Sequence, residues 1–176
     1  MSDALSQGGT GSYNFEPSYE QTVDIKCSRA DAYRFTSDVT RIGEVSPVCT
    51  SATWDDPKSA GTEGAWFTGH NVLGTVVWDT RCVIVMARPH SHFAFVNYGP
   101  EGTVPLVRWA YAIEEVEEGT RVTESWALLP DYASFIADGL PPAEVAARVE
   151  GMAAMARDGI QGTLLNLKRV LEKSAT

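Results

Sequence analysis

Histidine, cysteine and basic clusters are scarce in this chain, and each shortage removes a class of function. The only histidines are His70, His90 and His92. Two of them fall on one face of a short turn region, but no third ligand lies at metal-type spacing, so no metal is expected. Cys27, Cys49 and Cys82 are odd in number and irregularly spaced, which suits buried or half-buried thiols in a reducing cytoplasm better than a disulfide framework. Lysine and arginine total 14 against 23 aspartates and glutamates, a net charge of -9. With no Lys/Arg patch to interrupt that balance, neither nucleic acid nor an anionic membrane surface is an expected partner. No run approaches the ~18 to 20 apolar residues that a membrane helix needs. There is no Gly-x-Ser-x-Gly elbow, no Cys/His pairing, and no glycine-rich loop opening a helix, so a Ser or Cys nucleophile and a nucleotide cofactor are both unsupported. No cofactor of any kind is expected. The opening residues are rich in Gly, Ser and Thr without a basic or apolar region, and read as a flexible tail over residues 1–14 rather than a signal peptide.

What is present is one domain's worth of ordinary globular sequence, residues 15–176, 44% hydrophobic. Tyr19 to Ile25 alternates as a first strand. Ser28 is placed to cap a helix running to about Ser37, with Asp31 three residues on as its partner. Asp38 to Val45 adds a second short helix that Ser46-Pro47 ends, because the residue before proline is pushed out of helical space. Strand patterns then follow at Thr50–Trp54, Trp66–Val72, Val76–Ala87, His92–Asn97, Leu106–Glu114 and Thr120–Leu128. The clearest is the third strand pattern, where Trp78, Thr80, Cys82, Ile84 and Met86 share a face opposite Asp79 and Arg81. Short links such as Leu73-Gly74-Thr75 and Glu117-Glu118-Gly119 predict antiparallel hairpins. Seven strands in an uninterrupted meander after the early helices argue for an α+β fold.

Pro141-Pro142 opens the last element, since proline is tolerated in a helix's first turn. Val145, Val149, Met152, Ala156, Ile160, Leu164, Leu167 and Leu171 recur at helical spacing opposite Glu144, Arg148, Arg157, Gln161 and Lys168. Gly159 and Gly162 sit inside that helix, each costing roughly 1 kcal/mol relative to alanine. They mark either a kink or close approach, or a loosely specified interior. Between the last strand and this helix, Tyr132, Phe135 and Ile136 form either a lid or a short helix packed on the sheet edge.

The order of these elements, together with Gly64-x-x-Phe67-x-Gly69-x-Asn71, Trp78-x-Thr80, Phe93-Ala94-Phe95, Trp109-x-Tyr111 and the run Gly119 to Trp126, resembles the START-like, helix-grip (SRPBCC) superfamily. The ending Gly159 to Lys168 is similar to the last helix of its bacterial polyketide cyclase/dehydrase-like and lipid transport members. The resemblance spans the chain from about Tyr19. It implies a curved antiparallel seven-stranded sheet wrapped around the long C-terminal helix, with two short helices after the first strand and an apolar cavity inside.

In that arrangement Phe67, Trp78, Cys82, Phe93, Phe95, Trp109, Tyr111 and Trp126 converge on one interior, faced by Met152 and Met155 of the helix. They are core packing individually and candidate cavity wall collectively. Glu124 is the sharpest polar candidate because alternation sets it with Val122 and Trp126. A carboxyl there is either a desolvated general acid or base, or a strand-end group paired with Arg108 or Arg121 or half exposed at the rim. Asn71 either fixes a ligand oxygen or satisfies the backbone, and Tyr111 either donates to a ligand carbonyl or bonds the backbone nearby.

Three readings follow. The first is a binding protein for a small hydrophobic, aromatic or lipid-like ligand; the second is a polyketide cyclase or aromatase in which Glu124, Tyr111 or Asn71 assists enolisation or dehydration. The third is an interaction module in which Val83 and Val85, on the nominally outer face, pack against another subunit as a homodimer.

Overall fold

The computed structural model describes residues 19–174, so the tail expected over residues 1–14 lies outside the described residues. Ser28 opens the first helix, α1 (Arg29–Ser37), its hydroxyl accepting from the Asp31 amide at 3.1 Å. A 3-10 turn over Val39–Glu44 stands where the second short helix is predicted; the Asp38 carboxylate caps it by accepting from the Thr40 amide. Beyond it the Ser46 hydroxyl accepts from the amides of Val48 and Cys49, which turns the chain into the sheet.

The strands are β1 (Tyr19–Ile25), β2 (Cys49–Trp54), β3 (Trp66–Leu73), β4 (Val76–Arg88), β5 (His92–Tyr98), β6 (Pro105–Val116) and β7 (Gly119–Leu128). They form one antiparallel sheet in the order β1-β7-β6-β5-β4-β3-β2. The uninterrupted meander is therefore six strands, β2 to β7. β1 precedes the helices and returns to the far edge, pairing with β7 from Tyr19↔Trp126 to Ile25↔Thr120. Gly119 is needed where β7 begins, since its φ is 139° and a Cβ there would sit 2.2 Å from the Ile25 carbonyl oxygen.

Alternation holds along most strands, with a correction in β4. The register slips between Ile84 and Met86, so Ile84 faces Phe95 while Met86 faces Ala94 and Ala87 faces Phe93. One extra residue in a bulge inverts every side chain after it. Met86 thus leaves the face it was expected to share with Cys82 and Ile84, and Ala87 packs on the core instead.

The long helix α3 (Pro142–Ser174) lies across the sheet, packed on β1 and β7, with α1 on β5, β6 and β7. Its apolar stripe divides in two. Ile160, Leu164, Leu167 and Leu171 are buried, whereas Val145, Val149, Met152 and Met155 are only half-buried. The C-terminal half fills the sheet's concavity; the N-terminal half stands off from it. Gly162 marks a close approach, since a Cβ there would meet the Pro47 ring at 3.1 Å, while Gly159 has open space in front of it. This is the helix-grip arrangement. No helix among the described residues is long and apolar enough to cross a membrane.

On the outer face Val83 is buried with Val96 and Leu129, under the rings of Trp66 and Tyr98. Val85 remains exposed, so Val83 packs within the chain and only Val85 keeps the surface position expected of it.

Candidate functional site

A cavity of about 250 Å³ lies between the sheet and the N-terminal half of α3. β3 contributes Phe67 and Asn71, β4 Trp78 and Cys82, β5 Phe95, and β6 Trp109 and Tyr111. β7 contributes Glu124 and Trp126, and α3 Met152 and Met155. Eleven of the twelve side chains singled out in the sequence thus line one cavity. Phe93, also expected to converge there, does not line it; it is wholly buried beneath Phe95 as core. The wall is stiffened by rings stacked edge to face, Trp54 on Phe67 and Phe67 on Phe95, with centroids 5.5 and 5.3 Å apart.

Polar atoms are few, and most are already engaged. The Asn71 amide nitrogen donates to the carbonyl oxygens of Gly69 and Trp78, each at 3.3 Å. It ties a bulged neighbourhood of the sheet together and leaves little for a ligand. The Cys82 thiol donates to Asn97 Oδ1 at 3.1 Å. Burial pushes the Cys82 thiol up to about 12 and the Cys49 thiol up to about 11, so neither is a thiolate near neutrality.

Glu124 is the exception. It is 4% exposed and sits directly opposite Tyr111 across the β6–β7 pair, accepting a 2.9 Å hydrogen bond from the Tyr111 hydroxyl at Oε1. It pairs with neither arginine. Arg121 points outward to Asp24 at 2.8 Å, and Arg108 lies in register with Val96 and Ala127 on the other face. Burial pushes the Glu124 carboxyl up to about 8 despite the opposing pull of the Tyr111 hydrogen bond. It therefore stands as a neutral acid at pH 7. Tyr111 is held well above the usual phenol range by burial and by the Glu124 charge, so its hydroxyl keeps its proton. Among the described residues, Glu124 Oε2 and Trp126 Nε1, both buried, have no hydrogen-bond partner, nor has Gln21 Oε1 on β1.

Several lining residues escaped the sequence reading. Asn97 shares the parity of Phe93 and Phe95, so alternation alone would have found it. Cys49 would not have been found, because strict alternation sets it on the face opposite Trp54 and only the register shift between Cys49 and Ser51 turns it inward. The Tyr111–Glu124 pairing follows from the Glu117-Glu118 turn by counting back from Val116↔Gly119. Gly159 lines the wall and keeps it open. The segment after β7 folds as a short helix, α2 (Tyr132–Ile136), in which Tyr132 lines the cavity and Phe135 stays exposed beside Gly99. His90 and His92 lie at an exposed turn, and among the described residues no group of histidine, cysteine or carboxylate side chains could hold a metal.

A family model for "polyketide cyclase / dehydrase and lipid transport" matches residues 16–172. Among solved structures, the chain is 34% identical to the Polyketide_cyc-like protein Cgl2372 from Corynebacterium glutamicum, covering 89% of this chain and 92% of that one with a TM-score of 0.64. It also superposes on StfQ, a di-domain ARO/CYC from the steffimycin biosynthetic pathway, at 15% identity and TM-score 0.65, covering 89% of this chain and 51% of that one. A protein from Nitrosomonas europaea shares the fold at 10% identity and TM-score 0.65, covering 89% and 95%. A comparison with curated proteins found no match.

Proposed function

The chain belongs to the polyketide cyclase/dehydrase and lipid transport family, and from that premise we propose that it binds a small hydrophobic or aromatic molecule between the sheet and α3. The observation that carries this reading is the cavity. At about 250 Å³ it lies just below the usual span of small-molecule sites, which suits a compact ring system better than a pair of acyl chains. Its wall is aromatic and thioether-rich, a surface that accepts flat ligands of varied outline. The half-buried N-terminal stretch of α3 is the side by which a ligand reaches it.

The test is titration of the full chain with N-phenyl-1-naphthylamine, a neutral dye that brightens in apolar surroundings. Saturable one-to-one binding, weakened by Met155→Trp, is the expected result. Absence of saturable binding by this dye, by other bicyclic aromatics and by a medium-chain fatty acid would sink the reading.

One observation favours a second reading, that of a cyclase or aromatase. Tyr111 and Glu124 make a buried pair in the cavity wall, and a carboxyl titrating near 8 is matched to proton transfer at neutral pH. A poly-β-ketone bound there would have Glu124 placed to give its proton to a carbonyl oxygen while water takes the α-proton, so that the enol forms and the carboxylate is reprotonated from solvent. Turnover of such a substrate by the wild type, lost in Glu124→Gln while binding persists, is the expected outcome under this reading. Equal turnover by both proteins would remove Glu124 from the chemistry.

A further inference from the structure

Gln21 Oε1, Glu124 Oε2 and Trp126 Nε1, the buried atoms left without a partner among the described residues, form one group on the inner face of β1 and β7. Gln21 stands directly opposite Glu124 in the strand register, and Trp126 lies two residues along β7, diagonal to Gln21, so the three side chains are within reach of one another. All three atoms are sealed from the cavity and from solvent, so neither a ligand nor a water molecule reaches them. What satisfies them must come from within the group.

As two acceptors and one donor they do not balance. The Trp126 indole supplies a single N–H, and a charged Glu124 would leave two acceptors facing each other across the strand pair. One proton on the carboxyl closes the count. The Tyr111 hydroxyl already donates to Oε1, so that oxygen acts as the carbonyl of the acid and the proton sits on Oε2. Gln21 Oε1 has two lone pairs and can accept from both the Glu124 O–H and the Trp126 N–H. The alternative, a charged Glu124 accepting from a Gln21 amide turned end for end, would bury a carboxylate with no cation beside it. Charged side chains stay clear of the group. Glu20 and Asp24 of β1 point outward, and Arg121 of β7 pairs with Asp24. Lys168 and Glu172 of α3 reach β1 only at its far end, at the Asp24 carbonyl and the Lys26 amide. α1 meets the core through Ala32 and Phe35, while Tyr132 of α2 and the thiols of Cys49 and Cys82 line the cavity.

We infer that Gln21 is a positioning residue: its side-chain oxygen accepts the Glu124 acid proton and the Trp126 N–H, completing a chain from Tyr111 through Glu124 that clasps the edge strand β1 to the sheet. Gln21 does not line the cavity, and the inference does not depend on what the cavity holds. It does set a condition on the cyclase reading, since a proton that Glu124 gives to a substrate must first leave Gln21.

Infrared difference spectroscopy of the full chain across pH tests this chain of bonds. The wild type should show the carbonyl stretch of a buried protonated carboxyl at about pH 6.5, missing from Glu124→Gln and lost as pH rises past about 8. Gln21→Leu removes an acceptor that favours the neutral acid, so it should bring that loss to lower pH by about half to one pH unit. Hydrogen exchange read by mass spectrometry needs no change at Gln21. Corrected for intrinsic rates, protection of the β1 amides in the wild type should fall about tenfold between pH ~6.5 and ~9.5, as the two facing oxygens lose the proton between them. Glu124→Gln, whose amide can donate to Gln21 at any pH, should keep its protection. Absence of the protonated-carboxyl band from the wild type near neutrality overturns the inference. A band that persists to higher pH in Gln21→Leu overturns it as well, because the Gln21 amide was then donating to a carboxylate. Protection of β1 that falls equally in the wild type and in Glu124→Gln overturns the clasp.

Discussion

Glu124 is held neutral by its surroundings, and that has a measurable consequence for stability. The folded protein binds its proton up to about pH 8, whereas an unfolded glutamate releases it near 4.5. The native state therefore carries the extra proton between those values, and stability must fall as pH rises through that window. The stabilising contribution is complete below about pH 4.5 and is lost above about 8. Glu124→Gln should flatten this slope and, at pH 9, make the variant more stable than the wild type by a few kcal/mol. Urea denaturation at pH 5 and pH 9 measures it; identical slopes in the two proteins would show that the carboxyl titrates normally. Cys49 and Cys82 add a slope of the same sign only from about pH 9 upward, where unfolded thiols ionise while burial keeps the folded ones protonated, and they add it equally to both proteins. The Tyr111 hydrogen bond pulls the Glu124 carboxyl downward, so Tyr111→Phe should move the midpoint of the slope to higher pH. It should also lower stability by about 1 kcal/mol, a typical net hydrogen-bond contribution. A midpoint that moves to lower pH would mean that the hydroxyl accepts from the acid instead of donating to it.

Among the elements, α3 offers an internal control, because its two glycines sit in opposite surroundings. Gly159 faces open space and Gly162 faces the Pro47 ring at 3.1 Å from an ideal Cβ. Both substitutions to alanine gain up to roughly 1 kcal/mol of helix propensity, but only the second must displace a proline ring that ends the preceding turn. Gly159→Ala should therefore stabilise by about 0.5 to 1 kcal/mol, and Gly162→Ala should be neutral or destabilising. Equal gains in chemical denaturation would show that Pro47 yields freely. The same contrast explains what could be read beforehand. Helical spacing identifies Met152, Met155 and the glycines, but whether a glycine meets a ring or a void depends on residues 112 to 115 positions away. Alternation likewise placed Glu124 beside Trp126 correctly, since β7 is regular from end to end. It failed for Met86 and Cys49, because a bulge in β4 and a register shift in β2 each change parity without leaving a mark in residue type. The fold was legible because it depends on many periodic positions at once. The Glu124 environment was not, because alternation sets Arg108 and Arg121 on the other face but does not tell how deeply the elements packed on the sheet bury the carboxyl.

For the molecule as a whole, the division of α3 into a filling half and a standing-off half sets stability against binding. Ile160, Leu164, Leu167 and Leu171 close the concavity of the sheet, and the chain stops filling it at Gly159, where the cavity begins. A larger side chain at this position would continue the plug. Gly159→Leu should gain helix propensity and bury most of a leucine side chain, worth about 1.5 to 3 kcal/mol. The same substitution should weaken N-phenyl-1-naphthylamine binding by ~10-fold or more, because it occupies part of a cavity of only about 250 Å³. Raised stability with lost dye binding, measured on the same preparation, is the expected pair of results. Raised stability with unchanged binding would place the dye elsewhere on the protein. Lowered stability would mean that the wall around Gly159 is already packed. A fold built on one sheet and one gripping helix can thus set the size of its cavity by where along that helix large side chains give way to small ones.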